Sequence, residues 1–106
     1  MRILITGGFG FVGGRLAKHL HQTGHEIILG SRNERASPDW LPQAKVVQTH
    51  WHDGQALKKI CSGIDLIIQT AGMNAQDCAA EPVEALEFNG LATARLVESA
   101  RQAGVH

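Results

Sequence analysis

The stretch Thr6–Gly13, which reads TGGFGFVG, decides the fold of this 106-residue chain. A short β-branched-rich run, Arg2–Thr6, precedes it and is predicted to form a strand, and a helix is predicted over Gly10–Thr23. A second predicted strand, His25–Gly30, completes a βαβ unit of about thirty residues. A glycine-rich turn between the strand and the helix of such a unit is typical of a phosphate-binding turn.

Three glycines of this turn follow the spacing Gly-x-x-Gly-x-x-Gly. Gly7 permits the tight turn out of the strand, and Gly10 lets the backbone approach a pyrophosphate without an intervening side chain. Gly13 lets the helix pack close to the sheet. The helix N-terminus, with Phe11 and Val12, then offers unpaired N–H groups to the phosphates. A glycine-rich turn without a ligand is the alternative, and the conformational cost of three glycines in register argues against it.

The rest of the chain continues to alternate between strands and helices. Two further strands are predicted over Lys45–His50 and Asp65–Thr70, two further helices over Asp53–Cys61 and Pro82–Ala103, and loops over Ser31–Gln43 and Ala71–Glu81. This order predicts an α/β fold: a Rossmann-type doubly wound parallel sheet, incomplete, with about four strands in the order 3-2-1-4.

Two of the predicted helices carry apolar stripes that indicate which face is buried. The predicted stripe of the first helix consists of Val12, Leu16 and Leu20. The predicted stripe of the last helix includes Val83, Leu86, Ala94, Val97 and Ala100. We expect these faces to lie against the sheet.

Composition narrows the classes of partner. Ten basic and ten acidic residues give a formal net charge of zero, which offers no electrostatic reason to expect nucleic acid or a membrane surface. The apolar runs are too short to span a bilayer, and the N-terminus does not read as a signal peptide. Cys61 and Cys78 form no CxxC and are interpreted as free thiols in a reducing compartment, so a cytoplasmic location is expected.

The turn TGGFGFVG resembles the TGxxGxxG turn of the extended short-chain dehydrogenase/reductase family, which includes nucleotide-sugar epimerases, dehydratases and related reductases. Ile67–Asn74 (IIQTAGMN) is similar to the family's fourth strand and the turn after it. Glu87–Val105 is similar to the family's Asn-x-x-Gly-Thr helix, although Ala92 stands in place of its glycine. The resemblance covers the whole chain and implies a nicotinamide dinucleotide as cofactor.

The resemblance also implies further cofactor contacts. Asp53, followed by Gly54, matches the family's acid that meets the adenine amino group. Thr70, Ala71 and Gly72 match the backbone stretch that runs along the ribose and pyrophosphate. Asn89 matches the helix asparagine near the family's active site. A solvated or structurally buried asparagine is an equal alternative at that position.

The tip of the second strand bears on the choice between NADP and NAD. It reads Gly30-Ser31-Arg32, without the acid that NAD enzymes place there for the ribose hydroxyls. Arg32 and Arg35 are suited to pair with a 2′-phosphate, and Ser31 adds a further donor. These residues favour NADP over NAD. Glu34, which lies 21 positions after Gly13, is the opposing observation, and solvated loop arginines are the alternative.

The catalytic groups of the family have no counterpart in this sequence. Relatives act through a Tyr-x-x-x-Lys pair and a Ser or Thr, and this chain contains no tyrosine. We therefore expect residues 1–106 to be the N-terminal NAD(P)-binding portion, with the substrate-binding C-terminal part absent and no turnover by the chain alone. The parent is expected to act on a nucleotide-sugar as an oxidoreductase, epimerase or dehydratase. A non-catalytic NADP-sensing regulatory protein on the same fold, or a fragment without a ligand role, are the alternatives.

Two smaller expectations follow from the same pattern. His50 and His52 lack further ligands at set spacing and are interpreted as surface histidines, so no metal is expected. Without a fifth strand, the fourth strand becomes an exposed apolar edge, and such an edge predicts self-association of the chain.

Overall fold

A parallel sheet lies at the centre of the computed structural model, which describes residues 1–71, 83, 90–91 and 93–105. Within these residues the strands are β1 Arg2–Thr6, β2 Glu26–Ser31, β3 Lys45–Gln48 and β4 Leu66–Gln69, and the helices are α1 Phe11–Gln22, α2 Gly54–Cys61 and α3 Thr93–Gln102. The strand order is β3-β2-β1-β4, which confirms the predicted fold and order. Where the structure describes them, the ends of the elements coincide with the prediction or differ from it by one or two residues.

All strands are parallel, but the direction in which successive strands are added to the sheet reverses at β1. β1 pairs with β2 from Arg2↔Glu26 to Thr6↔Gly30 on one side. It pairs with β4 from Ile3↔Leu66 to Thr6↔Gln69 on the other. The chain therefore leaves β1 towards β2 and later returns to its opposite side. In open α/β sheets, ligands bind outside the carboxyl ends of the strands at such a reversal.

Both faces of the sheet are covered because alternate residues of each strand point to opposite sides. Ile3, Ile5 and Leu29 pack with Ala17 of α1 on one face. Leu4 and Ile28 pack on the other face, where α2 and α3 lie. Helices on both faces make the described sheet doubly wound, as predicted.

The buried face of α1 differs from the predicted stripe. Leu16 and Leu20 do pack against the core, but Val12 is 59% exposed. The buried positions of α1 are Gly13, Gly14 and Ala17, which have little or no side chain. α1 lies so close to the sheet that small residues form the contact, and Val12 is turned away from it.

The buried face of α3 also differs from the predicted stripe. Val97 is 64% exposed, Ala94 and Val83 are exposed as well, and Leu86 lies outside the described residues. Ala100 does pack towards α2 and the sheet, as predicted. It shares that face with three residues that the prediction did not include: Leu96, Ser99 and Ala103. Most of the predicted helix before Thr93 also lies outside the described residues.

A buried serine in α3 explains part of this choice of face. Leu96 packs against Leu57 and Cys61 of α2. One turn later the Ser99 hydroxyl donates a hydrogen bond to the Gly54 carbonyl, at 3.5 Å, and so remains buried with a partner. The spacing of three or four residues keeps these positions on one side of the helix.

Cys61 is a buried residue at the end of α2. Its thiol is free, as predicted, and burial raises its pKa. Cys78 lies outside the described residues. Trp51 packs beside Cys61 in the same cluster, which makes it a core residue.

Substitution of two adjacent α3 residues tests the corrected face. Leu96 is 2% exposed, so we expect Leu96→Ala to lower the free energy of unfolding by about 2–5 kcal/mol. Val97→Ala is the matched control on the exposed side, and a change of about 0.5 kcal/mol or less is expected. Urea unfolding followed by circular dichroism measures both. A larger loss for Val97→Ala than for Leu96→Ala would restore the face first predicted from the sequence.

Candidate functional site

The carboxyl ends of the strands surround a cleft of about 240 Å³. Predicted site residues supply a large part of its wall: Gly7, Gly10, Ser31, Arg32, Thr70 and Ala71. Arg35, which was predicted with Arg32 as a partner for a 2′-phosphate, also lines the cleft. The remaining lining residues were not predicted as site residues: Phe9, Gly30, Asn33 and Thr49. The cleft therefore lies at the reversal of strand order, and it brings together residues from four separate segments of the chain.

Gly7 has two structural roles in the turn after β1. Its φ is +67°, a left-handed conformation that strains residues with a side chain. A Cβ at this position would also lie 2.7 Å from the Ala71 nitrogen. The Gly7 carbonyl accepts a hydrogen bond from the Gly10 N–H at 2.9 Å, which closes the turn. The tight turn predicted for Gly7 is confirmed, together with a close approach to the end of β4.

Gly13 holds α1 against the same backbone. A Cβ on Gly13 would meet the Gly7 carbonyl oxygen and would lie 2.7 Å from Thr70 Oγ1. The Thr70 hydroxyl donates to the Thr6 carbonyl at 2.5 Å and approaches the Gly7 carbonyl at 3.3 Å. The close packing predicted for Gly13 is confirmed, and Thr70 fastens the end of β4 to the turn.

The first turn of α1 offers backbone donors next to the cleft. Gly10 is the N-cap, and no side chain among the described residues caps this helix end. The first N–H groups of a helix have no partner within the helix, so they can bind an anion. Phe11 and Val12 lie in this turn with exposed side chains. Phe11 is covered on one face by Arg15, whose Cζ lies 4.1 Å from the ring centroid.

The end of β2 gives the cleft its charge. The described lining residues include two arginines, Arg32 and Arg35, and no aspartate or glutamate. Ser31 is buried, and its hydroxyl oxygen accepts a hydrogen bond from the Asn33 N–H at 3.3 Å. The Arg32 side chain is exposed, while its carbonyl accepts from Gln48 Nε2 at 3.2 Å. This balance of charge favours an anionic group at the cleft.

A second cleft, of about 410 Å³, adjoins the first at Arg32 and extends to Asp53. One carboxylate oxygen of Asp53 accepts hydrogen bonds from the N–H groups of Gln55 and Ala56, each at 3.1 Å. Asp53 is therefore the N-cap of α2. A Cβ on Gly54 would meet nothing within 4 Å, so packing does not require a glycine there.

A buried polar group links the turn to α3, and the sequence analysis did not single it out. Thr6 is fully buried, and its hydroxyl donates to Gln69 Oε1. Gln69 Nε2 donates in turn to Thr93 Oγ1 at 3.1 Å. A glutamine at the end of an otherwise aliphatic strand is the signal that could have revealed this link, since buried polar groups need partners.

Two predicted site residues lie outside the described part of the chain, and two other kinds of site remain to be considered. Gly72 and Asn89 lie outside the described residues. No group of three or more His, Cys, Asp or Glu side chains with metal-site geometry occurs among residues 1–71, 83, 90–91 and 93–105. Within the same ranges, no helix has the length and apolar character needed to cross a membrane.

Comparison with known sequences identifies the family to which the chain is similar. The profile of the NAD dependent epimerase/dehydratase family matches residues 3–106. A UDP-glucose 4-epimerase of Neisseria meningitidis serogroup B is 30% identical over 98% of this chain. A dTDP-4-dehydro-6-deoxy-D-allose reductase of Streptomyces bikiniensis is 28% identical over 97%. The chain spans about a third of the length of these relatives, 34% and 35% respectively.

Solved structures show the same fold. A UDP-glucose-4-epimerase from Stenotrophomonas maltophila, crystallised with NAD and formylated UDP-arabinopyranose, superimposes with a TM-score of 0.88 at 20% identity. The match covers 100% of this chain and 35% of that protein. MoeE5, solved with UDP-glucose and NAD, gives a TM-score of 0.82 at 26% identity and covers 99% of this chain and 34% of its own.

Alanine substitution of two adjacent glycines tests the close approach of α1 to the turn. Gly13→Ala places a methyl group against the Gly7 carbonyl, and we expect it to lower the free energy of unfolding by about 1–3 kcal/mol. Gly14→Ala is the matched control, because its Cβ would lie at 3.5 Å from its nearest neighbours. Higher helix propensity should make that variant more stable by up to about 1 kcal/mol. Equal responses of the two variants in urea unfolding would contradict the special position of Gly13.

Proposed function

Because this chain belongs to the NAD dependent epimerase/dehydratase family, we propose that it forms the dinucleotide-binding portion of a larger enzyme. The observation that carries the proposal is the turn after β1, where Gly7 and Gly13 bring the start of α1 against the end of β4. This turn opens into a cleft with two arginines and no carboxylate among its described lining residues. A pyrophosphate suits such a place because backbone donors and positive charge meet there.

The proposal assigns each part of the cofactor to a segment of the chain. The backbone of Gly7, Gly10, Phe11, Val12 and Gly13 would bind the pyrophosphate. Ser31 and Arg32 would bind the adenosine ribose and its substituent, and Asp53 with Gly54 would meet the adenine. Thr70, Ala71 and Gly72 would run along the ribose and pyrophosphate, with Asn89 nearer the reacting end. The cofactor, when bound, supplies hydride acceptance and donation.

We favour NADP over NAD on the residues at the tip of β2. No acid stands at the end of the strand, where NAD enzymes place one for the ribose hydroxyls. Arg32 joins the two clefts at this point, and Arg35 lines the first of them. A guanidinium pairs well with a phosphate through two parallel hydrogen bonds. NAD is the alternative, because MoeE5 was solved with NAD and because Glu34 follows Gly13 by 21 positions.

The activity that we propose for the larger protein is epimerisation, dehydration or reduction of a nucleotide-sugar. The activities of the Neisseria and Streptomyces relatives support this substrate class. The chain itself contains no tyrosine, so a tyrosine acid/base of the kind used by the resembled family must come from outside residues 1–106. We therefore expect no turnover of a nucleotide-sugar by this chain alone. A longer protein that binds the cofactor without turnover would support the regulatory alternative.

Titration with both cofactors tests the proposed function. We expect this chain to bind NADPH more tightly than NADH in calorimetry. Arg32→Asp should weaken NADPH binding by about tenfold or more, because a charge-assisted hydrogen bond to phosphate is replaced by repulsion. NADH binding should change much less. Lys18→Asp, an exposed substitution on α1 with the same change in charge, is the control and should leave the ratio of the two affinities unchanged.

The outcomes of this titration separate the parts of the proposal. Equal affinity for both cofactors, unchanged by Arg32→Asp, would keep dinucleotide binding and remove the preference for NADP. Binding of neither cofactor would contradict the proposal for this chain.

We also propose that the chain self-associates through β4. Among the described residues β4 is one of the two edge strands of the sheet, and its residues Leu66–Gln69 are all half-buried. An apolar edge strand offers unpaired backbone groups to a second copy. The sedimentation coefficient should therefore rise with protein concentration in analytical ultracentrifugation. A single monomeric species at every concentration would contradict this expectation.

A further inference from the structure

We propose that Phe9 is a positioning residue for NADP recognition, because its ring holds the Arg35 guanidinium at the wall of the cleft. The inference rests on the proposed function and deepens it. Phe9 lies at a position of the TGGFGFVG turn where the TGxxGxxG pattern specifies no residue, and it was not among the predicted site residues. Arg35 belongs to the segment between β2 and β3, so the two residues come from separate parts of the chain.

The contact between the two side chains is a cation–π interaction. The Cζ atom of Arg35 lies 4.8 Å from the centroid of the Phe9 ring. This distance is within the range in which a guanidinium is attracted by an aromatic face. The attraction uses the positive charge rather than the N–H donors, so the guanidinium retains donors for a phosphate.

The ring itself is held in place from two directions. Phe9 is half-buried and packs against the core cluster that contains Ile5 and Leu29. Trp40 meets it edge to face, with ring centroids 6.4 Å apart and planes at 74°. The preceding residue is fixed as well, because the Gly8 N–H donates to the Gly30 carbonyl at 3.2 Å. A fixed ring is a suitable support for a long, otherwise mobile side chain.

The location of the pair connects it to the cofactor's ribose. Phe9 and Arg35 both line the cleft, together with Ser31 and Arg32 at the tip of β2. An arginine that is held there before binding loses less conformational freedom when it meets a phosphate. This smaller entropic cost increases the affinity for a dinucleotide with a 2′-phosphate and does not affect a dinucleotide without one. Phe9 should therefore affect the choice between the two cofactors through Arg35.

A second pair of the same kind provides an internal control. The Arg15 guanidinium covers the Phe11 ring on α1 at 4.1 Å, but Arg15 does not line the cleft. Arg15→Gln and Arg35→Gln remove the same charge from the same kind of contact. Only the second should change the ratio of NADPH to NADH affinity.

The experiment is a double-mutant cycle in which both cofactors are titrated calorimetrically into each variant. Arg35→Gln should lower the NADPH affinity about tenfold or more and leave the NADH affinity nearly unchanged. Phe9→Leu should lower the NADPH affinity roughly two- to fivefold, the size of an exposed cation–π contact. In the Arg35→Gln background, Phe9→Leu should cause no further loss of NADPH preference.

Two further variants distinguish the loss of the aromatic contact from a general disturbance of the turn. Phe9→Tyr keeps an aromatic face and should keep the ratio of affinities close to that of the natural chain. Trp40→Leu removes the edge contact that supports the ring and should reduce the NADPH preference in the same direction as Phe9→Leu. The ratio of NADPH to NADH affinity is measured within each variant. A substitution that weakens the binding of both cofactors equally therefore leaves this ratio unchanged.

Other outcomes overturn the inference. Equal losses for both cofactors in Phe9→Leu, or the same loss in the presence and absence of Arg35, would make Phe9 a packing residue only. If Arg32→Asp removes the NADPH preference while every Phe9 variant keeps it, the positioning role fails and the proposed function stands. If the natural chain binds neither cofactor, both fail.

Discussion

The close approach of the β1–α1 turn to the end of β4 is the constraint on which this structure depends. At Gly7 and Gly13 even a methyl group would collide with neighbouring backbone or with the Thr70 hydroxyl. The same hydroxyl donates to the Thr6 carbonyl and joins the two strand ends. A close-packed interior has no room for an added methyl group, so the fold itself favours glycine at these positions, whether or not a ligand binds.

This constraint decides which face of α1 is buried. A helix that approaches the sheet at Gly13 must continue along it with another small residue, and Ala17 takes that place with no exposed surface. Larger side chains flank the line of contact, as Leu16 does, or turn away from it, as Val12 does. The exposed first turn then keeps its backbone N–H groups at the cleft, so the packing that stabilises the fold also prepares the site.

Sequence patterns predicted the strand order and the tight glycine-rich turn because both depend on local periodicity and on glycine spacing. They were wrong in part for the faces of two helices, because Val12 and Val97 are exposed although their spacing predicted burial. In α3, Val97 and Leu96 are equally apolar, and only the position of α2 decides between them. The contact between Phe9 and Arg35 joins residues distant in sequence, and no local pattern contains that information.

Affinity for a dinucleotide and discrimination between NAD and NADP depend on different parts of the proposed site. In the proposed site, backbone N–H groups at the start of α1 would bind a pyrophosphate, which NAD and NADP share, so this rigid turn would give affinity without discrimination. Discrimination must come from side chains after β2, in a segment without regular structure between Ser31 and Lys45. Such a segment is the part of the domain whose conformation is least fixed by hydrogen bonding. An aromatic ring on the rigid turn is therefore well placed to order an arginine of the irregular segment, and the selectivity of the site then depends on the same glycine-rich turn as its affinity.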